Sequence, residues 1–313
     1  MKWVVQLYLG LILLGWMSCD VNDSESKEAP LQTFIDVKYP KWSPDGNSIL
    51  YSSYGLVAVS RDLKYWTDNI DSAGVWVMDS NGNGRKQILD IPFSYADWSN
   101  DGSKLVYQVG GTIYSADFDG IRIDSSSIRQ LKNEGLNLLP EWSPDGNYIF
   151  YSQVDCSEKS ISCGLWLLNL ESNTFELVSN GAVRGTWSGT SEEIVFLKTY
   201  GSGGQTLGDK FYSYNVSTKE TEVIYELEGE SNHISLSPLE NIMAFTHNIR
   251  GETPNIWKLN LDTEELTQIT FDGAQMPDWS PDGKKIVYVR DGIWTMNSDG
   301  SDKVNIKPLP YMD

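Results

Sequence analysis

Trp279-Ser280-Pro281-Asp282-Gly283, then Ile286-Val287-Tyr288, then Ile293-Trp294 and Asn297-Ser298-Asp299-Gly300, set out the unit from which this chain is built. The first five residues make a tight turn. Pro presets φ at the second position, and Asp-Gly supplies the positive φ that the reversal needs. A β-rich run follows, then an aromatic strand, then a polar hairpin turn like that of Asp79-Ser80-Asn81-Gly82. A fourth strand closes the unit, as in Thr267-Gln268-Ile269-Thr270. The same turn stands at Trp42-Ser43-Pro44-Asp45-Gly46 and Trp142-Ser143-Pro144-Asp145-Gly146, and with Asn100 in place of Pro at Trp98-Ser99-Asn100-Asp101-Gly102. Two worn copies, Trp187-Ser188-Gly189-Thr190-Ser191 and Leu236-Ser237-Pro238-Leu239-Glu240, bring the count to six. Apolar runs trail the other anchors in the same register: Ile49-Leu50-Tyr51, Leu105-Val106-Tyr107, Ile149-Phe150-Tyr151, Ile194-Val195-Phe196 and Met243-Ala244-Phe245. Third strands follow at Val75-Trp76, Ile113-Tyr114, Leu165-Trp166, Phe211-Tyr212 and Ile256-Trp257.

The anchors are 56, 44, 45, 49 and 43 residues apart, the period of a four-stranded propeller blade. One such sheet cannot bury both its faces, whereas a closed ring of them can. Aromatic and β-branched residues suit strands covered on both sides. Beyond the N-terminal leader no stretch shows helical periodicity. The expectation is an all-β chain: a six-bladed β-propeller of four-stranded antiparallel blades over residues 36–313, preceded by a leader (1–18) and a polar tether (19–35).

The WSPDG turn, the hydrophobic strand and the Ile293-Trp294-Thr295-Met296-Asn297-Ser298-Asp299-Gly300 stretch together resemble the TolB-type (PD40, WD40-like) β-propeller. The resemblance covers about residues 36–307 and rests on six copies of the repeat. TolB itself carries an α/β domain before its propeller, and here a short polar stretch stands between the leader and the first blade. The resemblance implies a fold and leaves the function open.

Residues 1–18, MKWVVQLYLGLILLGWMS, carry one Lys and an apolar core from Trp3 to Trp16, and end on small Ser18 before Cys19. That is the layout of a bacterial export signal, with a core shorter than the roughly 20 residues that span a bilayer. The Ser18-Cys19 end resembles a lipoprotein box, which implies a lipid on Cys19, although Trp16 stands where an aliphatic residue is usual. An ordinary secretory signal and an uncleaved anchor are the alternatives. The polar run from Asp20 to Glu28 is too poor in apolar residues to fold. Cys156 and Cys163 sit close together between the second and third strands of blade three. In an oxidising compartment such a pair can form a disulfide; two free thiols are the alternative. The expected location is the bacterial cell envelope, with membrane attachment through the N-terminal lipid.

The formal net charge is −19. The leader holds Lys2 and no acid, so from Cys19 onward 23 basic residues face 43 acidic ones, a net −20. A surface this acidic repels phosphate backbones and argues against nucleic acid as a partner. It equally disfavours polyanionic glycans. The 12 Trp and 16 Tyr fall mostly at repeated core positions, so they do not by themselves mark a carbohydrate platform.

Signals for catalysis are sparse. There is no G-x-S-x-G nucleophile elbow. Only His233 and His247 are present, too few for a three-His metal site. Asp79, Asn81, Asn83, Gly84 and Asp90 match the spacing of an EF-hand loop, but the flanks read as strands and the other blades place a hairpin turn there. No catalytic residue, cofactor or metal site is expected.

The irregular segments fall between second and third strands, opposite the WSPDG turns: residues 54–73, 155–164, 200–210 and 248–254. Function on a rigid scaffold usually lives on such loops. The longest holds Arg61, Lys64, Tyr65 and Trp66, residue types that interface hot spots favour. His233 and His247, on adjacent antiparallel strands, are expected to share that face. The residues just before the anchors are Lys41, Asp97, Glu141, Thr186, Ser235 and Asp278. Either quasi-symmetry gathers them into an ion-pair ring at the channel on that side, or they are ordinary solvated or inter-blade groups. Tyr39 and Arg184 are nearby candidates. The expected function is a non-catalytic scaffold that binds an envelope protein or peptide. The rivals are a glycan or metabolite binder near Arg184, His233 and His247, and an enzyme with acids in its channel.

Overall fold

The computed structural model describes residues 37–54, 56–59, 66–68, 73–155, 163–182, 184–202, 205–249 and 251–308. They form six four-stranded antiparallel sheets, each built from strands consecutive in the chain apart from one inserted hairpin in blade one. The innermost strands are Val37–Trp42, Tyr95–Trp98, Asn137–Trp142, Arg184–Trp187, Glu230–Leu236 and Gln275–Trp279. Each runs toward the face that carries the anchor turns. The opposite face carries the second-to-third-strand connections.

The turns explain why serine recurs. The Ser43 hydroxyl donates to Asp45 Oδ1 at 2.5 Å and accepts the Ser48 N–H at 2.9 Å. Ser99, Ser143 and Ser280 donate in the same way to Asp101, Asp145 and Asp282 at 2.6, 2.6 and 2.7 Å. A hydroxyl can be donor and acceptor at once, which no other side chain of this size manages. A second repeated device sits at the start of the third strand. A Cβ on Gly74 would lie 1.9 Å from the Leu89 carbonyl oxygen, and one on Gly164 2.1 Å from that of Ser179. Only glycine lets the fourth strand close in. The aromatic residues of second and third strands are cross-strand partners: Tyr51 stacks on Trp76, Tyr107 on Tyr114, Phe196 on Tyr212 and Tyr288 on Trp294.

The core consists of six clusters, one at each blade–blade interface. Val37, Trp42, Ile49, Tyr51 and Met78 of blade one pack on Val287, Ile293 and Ile306 of blade six. Blade six owns its outer strand, Val304–Pro308, so among the described residues the ring closes by side-chain packing and not by a shared strand. Leu31–Phe34, a candidate for the same seam, lies outside the described residues.

Two segments differ from loops. The blade-four segment continues the strands themselves: Glu193–Ser202 pairs with Gln205–Asn215 as one long hairpin. In blade one, Leu56–Val59 pairs with Trp66–Asp68 as a separate two-stranded hairpin. Trp66 lies on that hairpin, while Arg61, Lys64, Tyr65, Cys19 and Cys156 fall outside the described residues. Cys163 directly precedes the third strand of blade three.

Candidate functional site at the channel mouth

Three residues before each anchor the innermost strands break their regularity. Tyr39, Leu139, His233 and Met276 take φ of 54°, 52°, 47° and 57°. The pairing register shifts at the same points. Blades two and four keep an unbroken register and place Tyr95 and Arg184 there. A left-handed backbone costs a bulky residue roughly 1–2 kcal/mol, and such strain tends to gather at functional sites. Here all six side chains converge on one cavity of about 50 Å³.

The upper layer of this cavity is aromatic and polar. Tyr39 meets Tyr95 edge-on at 5.4 Å and His233 at 5.9 Å between ring centres. The Tyr39 N–H points at Met276 Sδ at 3.4 Å. Arg184 Nε donates to Asn232 Oδ1 at 2.7 Å. Neither ring nitrogen of His233 finds a hydrogen-bond partner among the described residues. Burial, with Arg184 and Lys38 nearby, holds this imidazole well below its ordinary pKa, so the ring is neutral at pH 7.

Two residues further along the strands lies the ionic layer. Lys41 Nζ stands 3.0 Å from Glu141 Oε1 and 3.4 Å from Asp278 Oδ1. The Tyr95 hydroxyl reaches Glu141 at 3.4 Å. Asp278 Oδ2 accepts the Trp42 N–H at 2.8 Å, Asp97 Oδ2 the Trp142 N–H at 3.0 Å, and Ser235 Oγ the Trp279 N–H at 3.3 Å. The residue before an anchor thus serves the anchor amide of the next blade. Lys41 has no acceptor to offer and turns across the channel. Burial opposes its charge, but Glu141, Tyr95, Asp278 and Asp97 outweigh burial and raise its pKa well above the ordinary value. Burial pushes Asp97 up to about 7 against the pull of Lys41, with Glu141 adding to the rise. Burial likewise raises Asp278. Of the two alternatives left open by the anchor spacing, Lys41, Glu141 and Asp278 follow the first and pair across the channel, while Asp97 and Ser235 serve inter-blade amides as the second has it. The ionic layer lies inside the channel toward the turn face, because one residue before the anchor is already deep along the strand.

His247 is a correction. It does not share the mouth with His233. It is 2% exposed and its Nδ1 lies 3.0 Å from Ser231 Oγ. Asp209, 1% exposed, accepts the Thr199 hydroxyl at 2.7 Å and the Ser231 N–H. The bulge at His233 turns its ring inward, whereas His247 on the unbroken next strand enters the blade interface. Serine, histidine and aspartate meet here, but the carboxylate holds the serine backbone and all three are buried, so the group pins the blade-four hairpin to blade five. Among the described residues no three His, Cys, Asp or Glu are placed to hold a metal. Asp79 Oδ1 is engaged by the amides of Asn81 and Asn83 at 2.9 Å each, as a hairpin turn requires.

Tyr95, Leu139 and Met276 were not among the residues singled out from sequence. Their signal was positional: each lies three before an anchor, as Tyr39, Arg184 and His233 do.

No protein-family profile matches the chain. The uncharacterized protein Atu1656 of Agrobacterium fabrum (strain C58) is 25% identical over 198 residues, covering 50% of this chain and 64% of its own length. Among solved structures, TolB from Acinetobacter baumannii superposes with a TM-score of 0.62 at 17% identity, over 85% of this chain and 62% of that one. A TolB candidate from Agrobacterium tumefaciens gives 0.58 at 19% identity, over 74% and 83%. Oligogalacturonate lyase in complex with manganese gives 0.52 at 14%, over 87% and 75%. The chain spans less than two thirds of the length of Atu1656 and of the Acinetobacter TolB. These likenesses establish a six-bladed propeller structurally similar to that of TolB.

Proposed function

We propose that the protein is a non-catalytic scaffold that binds an envelope protein or peptide through the face opposite the anchor turns. The observation that carries this reading is the pair of β-hairpins, in blades one and four, that rise on this one face. The channel beneath them supports it: its cavity of about 50 Å³ is too small for an oligosaccharide, and its ionic layer pairs internally. A propeller displaying hairpins beside a channel with only a small cavity suits surface recognition, with complementarity from loops and rigidity from blades. In the same reading Cys19 carries the lipid, residues 19–35 tether the propeller to the membrane, and a Cys156–Cys163 disulfide staples the blade-three connection.

Joining Tyr54 to Ala73 by a short linker removes the blade-one insertion and leaves all four strands of that blade in place. In crosslinking and affinity capture from the native membrane, the full chain retains a discrete partner and the shortened chain loses it. Unchanged capture by a folded shortened chain would sink the reading.

A further inference from the structure

We propose that the channel mouth binds a carboxylate group, held between Arg184 and His233 against the ring of Tyr39. This site is separate from the hairpins and goes beyond the scaffold reading.

Three observations carry it. First, the cavity wall holds an imidazole whose two nitrogens are buried and make no hydrogen bond to any described residue. Buried polar side chains are nearly always partnered, so an imidazole like this on a cavity wall marks a recognition position. A neutral ring presents one N–H donor, the group a carboxylate oxygen accepts from. Second, the residues that line the cavity carry more cations than carboxylates, in an acidic protein. Lys41 and Arg184 face the single carboxylate of Glu141. The other two described clefts run the opposite way, with Asp101, Asp117 and Asp145 against Lys104 and Arg129 in one, and Asp117, Asp119 and Asp124 against Arg122 in the other. Lys41 is held by Glu141 and Asp278, and Arg184, whose Nε donates to Asn232 Oδ1, brings a second cation to the same wall. Third, the strained backbones of Tyr39 and His233 turn these two rings together at 5.9 Å. A monoanion fits better than a phosphate dianion, because Glu141 lines the same small cavity and repels the second charge.

The carboxylate can come from a small organic acid or from the C-terminus of a polypeptide. The chain contains only two histidines, so long-range ¹H–¹⁵N spectra of the full chain show two imidazoles, with buried His247 as the internal control. The probes are sodium acetate, acid-ended trialanine, its C-terminal amide, and sodium chloride at matched ionic strength. The expected result is a saturable shift of the His233 ring signals with a carboxylate probe and none with the amide or chloride. A shift with acetate assigns a small acid; a shift only with acid-ended trialanine assigns a chain terminus. Arg184→Gln, checked for unchanged thermal unfolding, should weaken the effect about tenfold or more, as loss of a charge-assisted contact does. Silence of His233 toward both carboxylates, equal shifts from the amide or chloride, or full affinity in the folded Arg184→Gln protein would each overturn the proposal.

Discussion

Lys41 Nζ lies 3.0 Å from Glu141 Oε1, although the two residues are 100 positions apart and belong to blades one and three. The contact crosses the channel, and it exists because lysine occupies a position that Asp97, Ser235 and Asp278 use to accept an anchor amide. One cation thereby answers to three buried carboxyls.

Replacing it should be costly. Lys41→Met leaves Glu141, Asp97 and Asp278 without their counter-charge, and breaking a buried pair in this way typically costs about 3–5 kcal/mol. Urea unfolding should show a lower midpoint with an unchanged slope. Lys41→Met with Glu141→Gln should recover part of the loss. A single variant within about 1 kcal/mol of the parent, the range of an exposed pair, would show the layer to be solvated.

Asp97 sets the sign of a pH effect. Its carboxyl is pushed up to about 7 in the folded chain, against roughly 3.9 when unfolded. The folded state therefore holds the proton over that window. Its contribution is fully present below about pH 4 and is lost as pH rises through about 7. Asp97→Asn cannot ionise, and its amide oxygen can still accept the Trp142 N–H. Its stability, measured by unfolding at several pH values, should fall less steeply than the parent's between pH 4 and 7. Parallel curves would contradict the assignment.

Two glycines separate strain from collision. Gly46 sits at φ 71°, with only Pro281 side-chain atoms at 3.8 Å from a Cβ placed there. Gly46→Ala should cost about 1–2 kcal/mol from backbone conformation alone. Gly74→Ala drives a Cβ to 1.9 Å from the Leu89 carbonyl oxygen and should cost clearly more or prevent folding. Similar thermal midpoints for the two variants would refute the role given to the third-strand glycines.

Asp209 tests the pinning of the long hairpin. Asp209→Ala strips the Thr199 hydroxyl and the Ser231 N–H of their acceptor, and a buried donor left unmet costs about 1–3 kcal/mol. Hydrogen exchange should accelerate at Ser231 and along the hairpin, with the WSPDG turns unaffected. Uniform acceleration over all six blades would mean that the network supports the whole ring.

The fold was legible because each turn carries its own chemistry: Ser143, Asp145 and Gly146 occur together only where one hydroxyl, one carboxylate and one positive φ are all used. The ionic layer was legible from register alone, since Lys41, Asp97, Glu141 and Asp278 each precede an anchor. Tyr95, Leu139 and Met276 escaped notice because apolar and aromatic residues in an inner strand read as core. The left-handed backbones of Leu139 and Met276 escaped for a stronger reason: no propensity marks a bulky side chain for positive φ, and it accompanies register shifts that the repeat does not encode. His247 was misplaced because strand adjacency to His233 ignored the bulge between Asn232 and Ile234.

The central claim is that partners are met on the hairpin face. Leu207, 50% exposed on the blade-four hairpin, and Leu239, 70% exposed in a turn on the other face, give matched positions for a photo-crosslinking side chain. Irradiation in the native cells should yield a discrete protein adduct from position 207 and none from position 239. An adduct from 239 alone, or none from 207, would contradict the account.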